Sequence, residues 1–238
     1  MLAGLGFPAL ATSSAAEAGT IGRRDYGLTR DLALALSRSI VEATDLPVSV
    51  DLENGFGDGP ETVLETIRLA AGIGLVGGSI EDAPGDAAPY EPSLATKRLA
   101  AAVQAVRALP FPFVLTARAE NYVRGRRDLD DTIRRLQAYE QAGADVLFAP
   151  GLPDLAAVRT VCAALKKPVN VVGTMQNGTL SVAELAAAGV KRISLAAALY
   201  RSAMTGLRDA AREVQAKGTF SFVPQSMTSA ALNGYLRD

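Results

Sequence analysis

Histidine and tryptophan are absent from the 238-residue sequence, and cysteine occurs once, at Cys162. The lack of histidine excludes Ser-His and Cys-His nucleophile pairs and every metal site that uses an imidazole ligand. A single cysteine excludes an internal disulfide and is typical of the reducing cytoplasm, where we expect this protein. Any bound metal ion therefore needs oxygen ligands, which favours magnesium, manganese or calcium.

A strong charge of either sign and a long apolar run are also missing. The 24 Lys and Arg residues nearly balance the 25 Asp and Glu residues, which leaves a net charge of −1. This balance argues against nucleic acid and against a membrane surface as partners. No apolar run reaches the roughly 18 residues of a membrane span. No basic segment precedes an apolar stretch, so we see no signal peptide.

Short apolar runs alternate with longer amphipathic segments along the chain. This alternation predicts βαβ units around a parallel sheet, an α/β fold of the (β/α)₈ barrel type that forms one domain over residues 1–238. The predicted strands are 8–12, 47–51, 76–81, 112–117, 144–149, 168–172 and 191–195. The predicted helices are 29–44, 60–72, 93–109, 129–142, 154–165, 181–188 and about 198–217.

An Ala-Gly pair recurs where a predicted helix ends before a strand, at 71–72, 142–143 and 188–189. Glycine suits the left-handed position that follows a helix. The same pair at residues 3–4 indicates that the chain begins inside the last turn of a helix. Because seven strands are predicted where a closed barrel has eight, we expect the first strand to lie upstream of Met1, with a barrel that is open at that edge as the alternative.

Polar residues stand at the carboxyl ends of the predicted strands, where parallel α/β folds place their sites. Asp51 and Glu53 end one strand, Glu81 and Asp82 the next, and Arg118 the one after. Neighbouring strands lie about 4.8 Å apart, so these four acids and the arginine are predicted to form one cluster. Such a cluster suits a hydrated divalent ion and an arginine that binds a substrate carboxylate.

Other polar residues have plainer interpretations. Asp58 and Asp154 suit solvated or helix-capping positions, and Ser13-Ser14 suits a turn or cap as well as a ligand site. Cys162 is interpreted as a core residue, and residues 124–127 as an arginine-rich surface loop.

Three segments resemble the isocitrate lyase/phosphoenolpyruvate mutase superfamily: VDLENGFGD (50–58), GGSIEDA (77–83) and FVLTARAEN (113–121). The resemblance implies a (β/α)₈ barrel whose last helix is exchanged between subunits of a homo-dimer or homo-tetramer. It also implies Mg²⁺-dependent cleavage or formation of a C–C or C–P bond in a small 2-oxo or 2-hydroxy acid. The C-terminal segment, about 198–238, is accordingly expected at a subunit interface, with packing inside the chain as the alternative.

The resemblance also assigns roles to individual residues. Asp51, Glu53 and Glu81 are the expected ligands of Mg²⁺, with Mn²⁺ as the alternative. Arg118 is expected to bind the substrate carboxylate, and Asp25 to lie near the mouth of the site. The expected catalytic residues are Arg118, Asp51 and Asp25, and the expected substrate-binding residues are Ser13, Ser14, Ala15, Arg118 and Asn170.

The sequence departs from the lyases of this superfamily in two places. Their Lys-Lys-Cys-Gly-His type loop is replaced by EDAPGDAAPYEPS (81–93), which has no cysteine, histidine or lysine. Residues 83–92 are expected to act as a gate, with Asp86, Tyr90 and Glu91 as candidates for proton transfer. Those lyases also tend to carry a glutamate where this chain has Gly151.

Three functions remain open at this point. The first is a Mg²⁺-dependent lyase or hydrolase that cleaves a C–C bond in a small carboxylate through an enolate. The second is a C–P mutase or hydrolase that acts on a phosphonate such as phosphonopyruvate. The third is a binding or assembly protein on the same scaffold that has lost catalysis. A truncated pseudo-enzyme that folds poorly is a separate possibility.

Overall fold

The computed structural model describes residues 1–173 and 180–236. Seven parallel strands follow one another in chain order around a nearly closed barrel, each hydrogen-bonded to the next. They are β1 (Leu10–Ala11), β2 (Val48–Asp51), β3 (Gly77–Glu81), β4 (Val114–Arg118), β5 (Val146–Phe148), β6 (Val169–Val172) and β7 (Arg192–Ser194). The predicted parallel α/β barrel is confirmed, and all seven predicted strands are present within it.

Helices connect the strands and cover the outside of the barrel. They are α1 (Ser14–Thr20), α2 (Arg30–Glu42), α3 (Pro60–Gly72), α4 (Pro92–Arg107), α5 (Leu129–Ala142), α6 (Leu155–Ala164), α7 (Val182–Ala187), α8 (Ala198–Lys217) and α9 (Ser229–Asn233). Short 3₁₀ turns lie at Ala3–Leu5 and Val223–Gln225. The seven predicted helices are confirmed, whereas α1 and α9 were not predicted. The single-domain assignment and the strand upstream of Met1 stay predictions.

The core lies between the outer face of the sheet and the helices. Side chains alternate along β2, so Val48 and Val50 are buried while Ser49 and Asp51 are only half-buried on the opposite face. Val50 belongs to one continuous apolar cluster with Ile67 of α3 and Leu99 of α4. Burying an aliphatic side chain of this size contributes about 1.5–3 kcal/mol, and this packing fixes the height of each strand end.

Local signals set the ends of several helices. Ser181 and Glu184 form a capping box at the start of α7, and Asp154 caps α6, in line with its expected capping position. Gly143 and Gly189 adopt the left-handed conformation predicted after α5 and α7. The same prediction is wrong for Gly72, which is the last residue of α3; the left-handed position is taken by Gly74 two residues later.

None of the 20 residues of the long helix α8 is buried, a property that it shares only with the short helix α9 among the described helices. Its apolar side chains Leu199, Met204 and Leu207 are 49%, 40% and 62% exposed. The predicted interface segment also includes residues 237 and 238, which lie outside the described residues.

Candidate active site

The carboxyl ends of three neighbouring strands bring the predicted acids and arginine together. Asp51 ends β2, Glu81 ends β3 and Arg118 ends β4. The register pairs Asp51 with Ser79, and Glu81 with Arg118. Since these interstrand hydrogen bonds are fixed by the packed sheet, the site is part of the rigid barrel rather than of a loop.

Arg118 lies at the centre of the cluster. Its Nη1 is 2.8 Å from Glu81 Oε1 and 3.1 Å from Asp51 Oδ1, and its Nε is 2.9 Å from Glu120 Oε1. The guanidinium also stacks 5.2 Å from the ring centroid of Phe148. Burial lowers the pKa of Arg118, but the surrounding carboxylates outweigh it and raise that pKa well above its ordinary value. Arg118 is therefore a permanent cation whose direction is fixed.

Asp51 is held by donors on both of its oxygens. Oδ2 accepts hydrogen bonds from the backbone N–H of Ser14 at 3.3 Å and from the Ser14 hydroxyl at 3.0 Å. Oδ1 accepts from Arg118, from the Ser79 hydroxyl at 3.3 Å and from the backbone N–H of Glu53 at 3.4 Å. Together these donors fix the orientation of the Asp51 carboxylate at the end of β2.

Glu53 has the opposite environment. Its side chain is 5% exposed, and no described residue is hydrogen-bonded to its Oε1. Burial, followed by the negative charges of Asp51 and Asp25, raises the pKa of Glu53 to about 7. A buried carboxyl without a partner is costly, so this oxygen is suited to a cation or to a hydrogen-bond donor from a ligand.

Glu81 is the most enclosed acid of the expected metal-binding set, with 2% exposure. Besides Arg118, it accepts a hydrogen bond from the Tyr26 hydroxyl at 3.3 Å and lies 3.5 Å from Arg124 Nη2. Burial raises the pKa of Glu81; Arg118 opposes this shift, whereas Glu120 and Asp51 add to it.

Tyr26, Glu120 and Arg124 complete the cluster and were not predicted as site residues. The arginine-rich segment was interpreted as loop surface, which is wrong for Arg124, whose side chain is only 9% exposed. Arg124 stacks on the Tyr26 ring, is hydrogen-bonded to its hydroxyl and lies 3.6 Å from Glu120 Oε2. The i,i+4 spacing of Glu120 and Arg124 was the available signal in the sequence.

Asp82 does not join the cluster, which corrects the prediction of four clustered acids. Its carboxylate accepts hydrogen bonds from the Tyr139 hydroxyl at 2.6 Å, from Arg135 Nη1 at 3.1 Å and from the backbone N–H of Glu120 at 2.8 Å. Consecutive residues of an extended chain point to opposite sides, so Asp82 faces the helices while Glu81 faces the site.

The other expected site residues occupy different positions. Ser13 and Ala15 flank Ser14 at the start of α1, and Asp25 is exposed and accepts a hydrogen bond from the backbone N–H of Tyr26. Asn170 is 3% exposed on β6; its Nδ2 donates to the Ser194 hydroxyl, and its Oδ1 has no partner among the described residues. The roles expected for these residues stay predictions.

The three candidates for proton transfer lie outside the carboxylate cluster. Asp86 is 93% exposed and contacts Arg124 Nη1 at 3.5 Å. The Tyr90 hydroxyl is bound between Asp58 Oδ1 and Asn54 Nδ2, and Glu91 is exposed at the start of α4. The Asp86–Arg124 contact nevertheless links the expected gate to the cluster.

Gly151, where the related lyases tend to carry a glutamate, has an unusual backbone conformation. Gly151 follows β5 with φ of 82°, and a Cβ added there would lie 2.9 Å from a methyl carbon of Val123. Both the left-handed backbone and the contact disfavour any other residue than glycine in this arrangement.

The cluster contains more carboxyl groups than guanidiniums. Asp51, Glu53, Glu81 and Glu120 outnumber the guanidiniums of Arg118 and Arg124 by two. Among residues 1–173 and 180–236, no group of three acidic side chains is already arranged as a metal cage. Magnesium keeps several waters and needs only one or two protein carboxylates, so the fixed Asp51 and the unpartnered Glu53 oxygen suit it.

Comparison with known proteins identifies the family. The family model for phosphoenolpyruvate phosphomutase matches residues 1–215. The chain belongs to the phosphoenolpyruvate phosphomutase family. The resemblance seen in the sequence is thereby confirmed.

Relatives in this family include lyases and phosphonomutases. A crystal structure of a Burkholderia cenocepacia J2315 protein, provisionally assigned as a lyase/mutase, is 54% identical in sequence and has a TM-score of 0.95. The match covers 98% of this chain and 84% of the Burkholderia chain. A second structure from that organism, provisionally assigned as a phosphonomutase, is 37% identical with a TM-score of 0.82 and coverages of 89% and 88%. The 2-methylisocitrate lyase of Aeropyrum pernix is 29% identical over 226 residues, which are 90% of this chain and 71% of the relative.

These relatives identify the chain as an enzyme of the isocitrate lyase/phosphoenolpyruvate mutase superfamily that acts on a small molecule. Within the described residues, no helix is both long and apolar enough to span a bilayer.

Proposed function

We propose that the protein is a Mg²⁺-dependent lyase or hydrolase that cleaves a C–C bond in a small 2-oxo or 2-hydroxy carboxylate through an enolate. The observation that carries this proposal is the pairing of a fixed cation with acids at one barrel end. Arg118 Nη1 lies 3.1 Å from Asp51 and 2.8 Å from Glu81, beside the unpartnered oxygen of Glu53.

Each residue of the cluster has a distinct role in this proposal. Asp51, Glu53 and Glu81 would hold Mg²⁺ directly or through water. When bound, Mg²⁺ supplies a Lewis acid for the 2-oxo and carboxylate oxygens of the substrate. Ser14 and Ser79 keep the Asp51 carboxylate pointed into the site, as their 3.0 and 3.3 Å hydrogen bonds support.

Arg118 would bind the substrate carboxylate. Its Nε and Nη1 are used by protein acids, while no described residue accepts a hydrogen bond from Nη2. A substrate carboxylate at Nη2 would receive a charge-assisted hydrogen bond, which is shorter and stronger than a neutral one. Arg124 and Tyr26 support this arrangement because they hold Glu81 from its other oxygen.

A C–P bond mutase or hydrolase that acts on a phosphonate is the second candidate. The 37% identity to a provisionally assigned phosphonomutase favours it. The same Arg118 would then bind the carboxylate of a phosphonopyruvate-like molecule, and the two candidates differ in the group that leaves the enolate. A catalytically impaired binding protein has less support, because the acids and the arginine of the cluster are all present.

We also propose that the enzyme is a homo-dimer or homo-tetramer in which α8 is exchanged between subunits. The absence of buried residues along this 20-residue helix supports the proposal. Multi-angle light scattering should give a mass two or four times that of the chain, and Leu207→Glu should shift it toward the monomer. Location in the cytoplasm stays a prediction.

Calorimetric titration of oxalate, an enolate mimic, tests the central proposal. Binding should require Mg²⁺ and should be lost in Asp51→Ala and in Arg118→Ala. Arg127→Ala is the matched control, because Arg127 is exposed in the same segment as Arg124. Oxalate binding that is independent of Mg²⁺, or its absence from the unmodified protein, would contradict the proposal.

A further inference from the structure

A cavity of about 740 Å³ opens beside the carboxylate cluster and shares Tyr26 and Glu53 with it. Its volume lies within the range of small-molecule sites, about 300–1,000 Å³. A four-carbon diacid has about nine non-hydrogen atoms and, at less than about 30 Å³ each, fills roughly a third of this volume. The cavity therefore has room for a ligand considerably longer than oxalate or a four-carbon acid.

The wall of the cavity is apolar in one part and cationic in another. Leu28 and Phe56 contribute apolar surface, and Arg30 contributes a guanidinium. The Arg30 Nε is buried and has no hydrogen-bond partner among the described residues. The exposed Asp31 also lines the cavity. Arg30 as a whole is half-buried, and a guanidinium whose buried Nε has no partner is suited to an anionic ligand group.

The backbone around the cavity is held in an unusual conformation. Tyr26, Glu53 and Phe56 have φ values of 58°, 49° and 62°, and they are three of the four non-glycine residues with positive φ in the described part of the chain. Such conformations persist only where the surroundings enforce them, and they concentrate at ligand sites. Here Asn54 Oδ1 accepts from the Phe56 N–H at 3.1 Å, so the wall is formed without a ligand.

We infer that the substrate carries a chain of several carbons that extends from the carboxylate cluster into this cavity and ends in a second carboxylate paired with Arg30. The apolar part of the chain lies along Leu28 and Phe56. The inference rests on the proposed function, since the cluster positions the reacting end. It specifies the substrate class as a long dicarboxylate rather than a four-carbon acid.

Calorimetry in the presence of Mg²⁺ with three probes tests this inference. The probes are oxamate, an oxamate whose nitrogen carries a four-carbon chain ending in a carboxylate, and the matched compound ending in a methyl group. The carboxylate-terminated probe should bind at least tenfold more tightly than oxamate or the methyl-terminated probe. Arg30→Gln should abolish this advantage while leaving oxalate affinity unchanged, which also verifies that the variant is folded.

Arg38→Gln is the matched control, because Arg38 is exposed on the same helix. The Arg38→Gln variant should still bind the carboxylate-terminated probe at least tenfold more tightly than oxamate or the methyl-terminated probe. The inference would be overturned if the carboxylate-terminated probe bound the unmodified protein no more tightly than the other probes, or if its tighter binding survived Arg30→Gln. In either case, oxalate binding would leave the proposed function intact. If neither oxalate nor oxamate binds the unmodified protein, the proposed function and the inference fail together.

Discussion

Arg98 of α4 lies 4.4 Å from the ring centroid of Tyr90 and anchors the loop that follows Asp51. Its Nη1 donates to the carbonyls of Gly57 and Asp58 at 2.6 and 2.5 Å, and its Nη2 donates to the carbonyl of Asn54. Tyr90 belongs to the base of the expected gate, so this one pair connects the gate to the loop that carries Glu53.

We expect Arg98→Met to lower the free energy of unfolding by about 3 kcal/mol, because three partly buried carbonyls lose their donor and the buried guanidinium is removed. Urea denaturation measures the change. Lys97→Met is the control, since Lys97 is the exposed neighbour on the same helix and its replacement should change stability by less than about 0.5 kcal/mol. Equal effects of the two substitutions would show that the carbonyls do not depend on Arg98.

Asp82→Asn should separate structural from functional acids. Asp82 is 4% exposed and accepts from Tyr139, Arg135 and the backbone of Glu120, so the substitution should cost about 3 kcal/mol of stability. Asp51→Asn should instead abolish Mg²⁺-dependent oxalate binding with little loss of stability. Urea denaturation and calorimetry on both variants give the comparison, and a stability loss shared equally by the two would contradict the assignment.

Glu17 makes stability depend on pH. It is 6% exposed, and burial raises its pKa from 4.5 to about 7, although a hydrogen bond from Ser37 opposes the shift. Between these values the unfolded chain has lost the proton and the folded chain still holds it. The contribution of Glu17 to the free energy of unfolding is therefore fully present below about pH 4.5. It is lost as the pH rises to about 7, and the loss is on the order of 3 kcal/mol.

Glu17→Gln should consequently match the unmodified protein near pH 4.5 and exceed its stability at pH 8. Urea denaturation of both proteins across this range isolates the contribution of Glu17, since all other groups titrate alike. A difference that is constant with pH would show that Glu17 does not titrate in this interval.

Glu53 should make Mg²⁺ binding release a proton. Burial, Asp51 and Asp25 raise its pKa to about 7, so it is largely protonated at pH 6.5 and must ionise to bind a cation. Calorimetry with Mg²⁺ and oxalate at pH 6.5, in two buffers of different ionisation enthalpy, should report up to about one proton released. The release should vanish at pH 9 and in Glu53→Gln; its persistence in that variant would assign the proton to another group.

The hydrophobic periodicity of the sequence was sufficient to predict the strands and helices. Each short apolar run became a strand of the barrel, and each amphipathic segment before α8 became a helix that packs its apolar side on the sheet. The periodicity also located Asp51, Glu81 and Arg118, since a residue that ends a parallel strand must lie at the same edge. Asp82 was misplaced because adjacency to Glu81 in sequence means opposite faces in a strand. Tyr26 and Arg124 were missed because they come from loops, whose paths no sequence period determines.

Gly151 limits how this enzyme can change in evolution. Replacing it with the glutamate of the related lyases would require a new backbone conformation at residue 151 and displacement of Val123. A glutamate introduced alone carries the strain of the left-handed backbone and the close contact with Val123, so it lowers stability until both adjust. Laboratory evolution toward the lyase arrangement should therefore begin with variants at Val123.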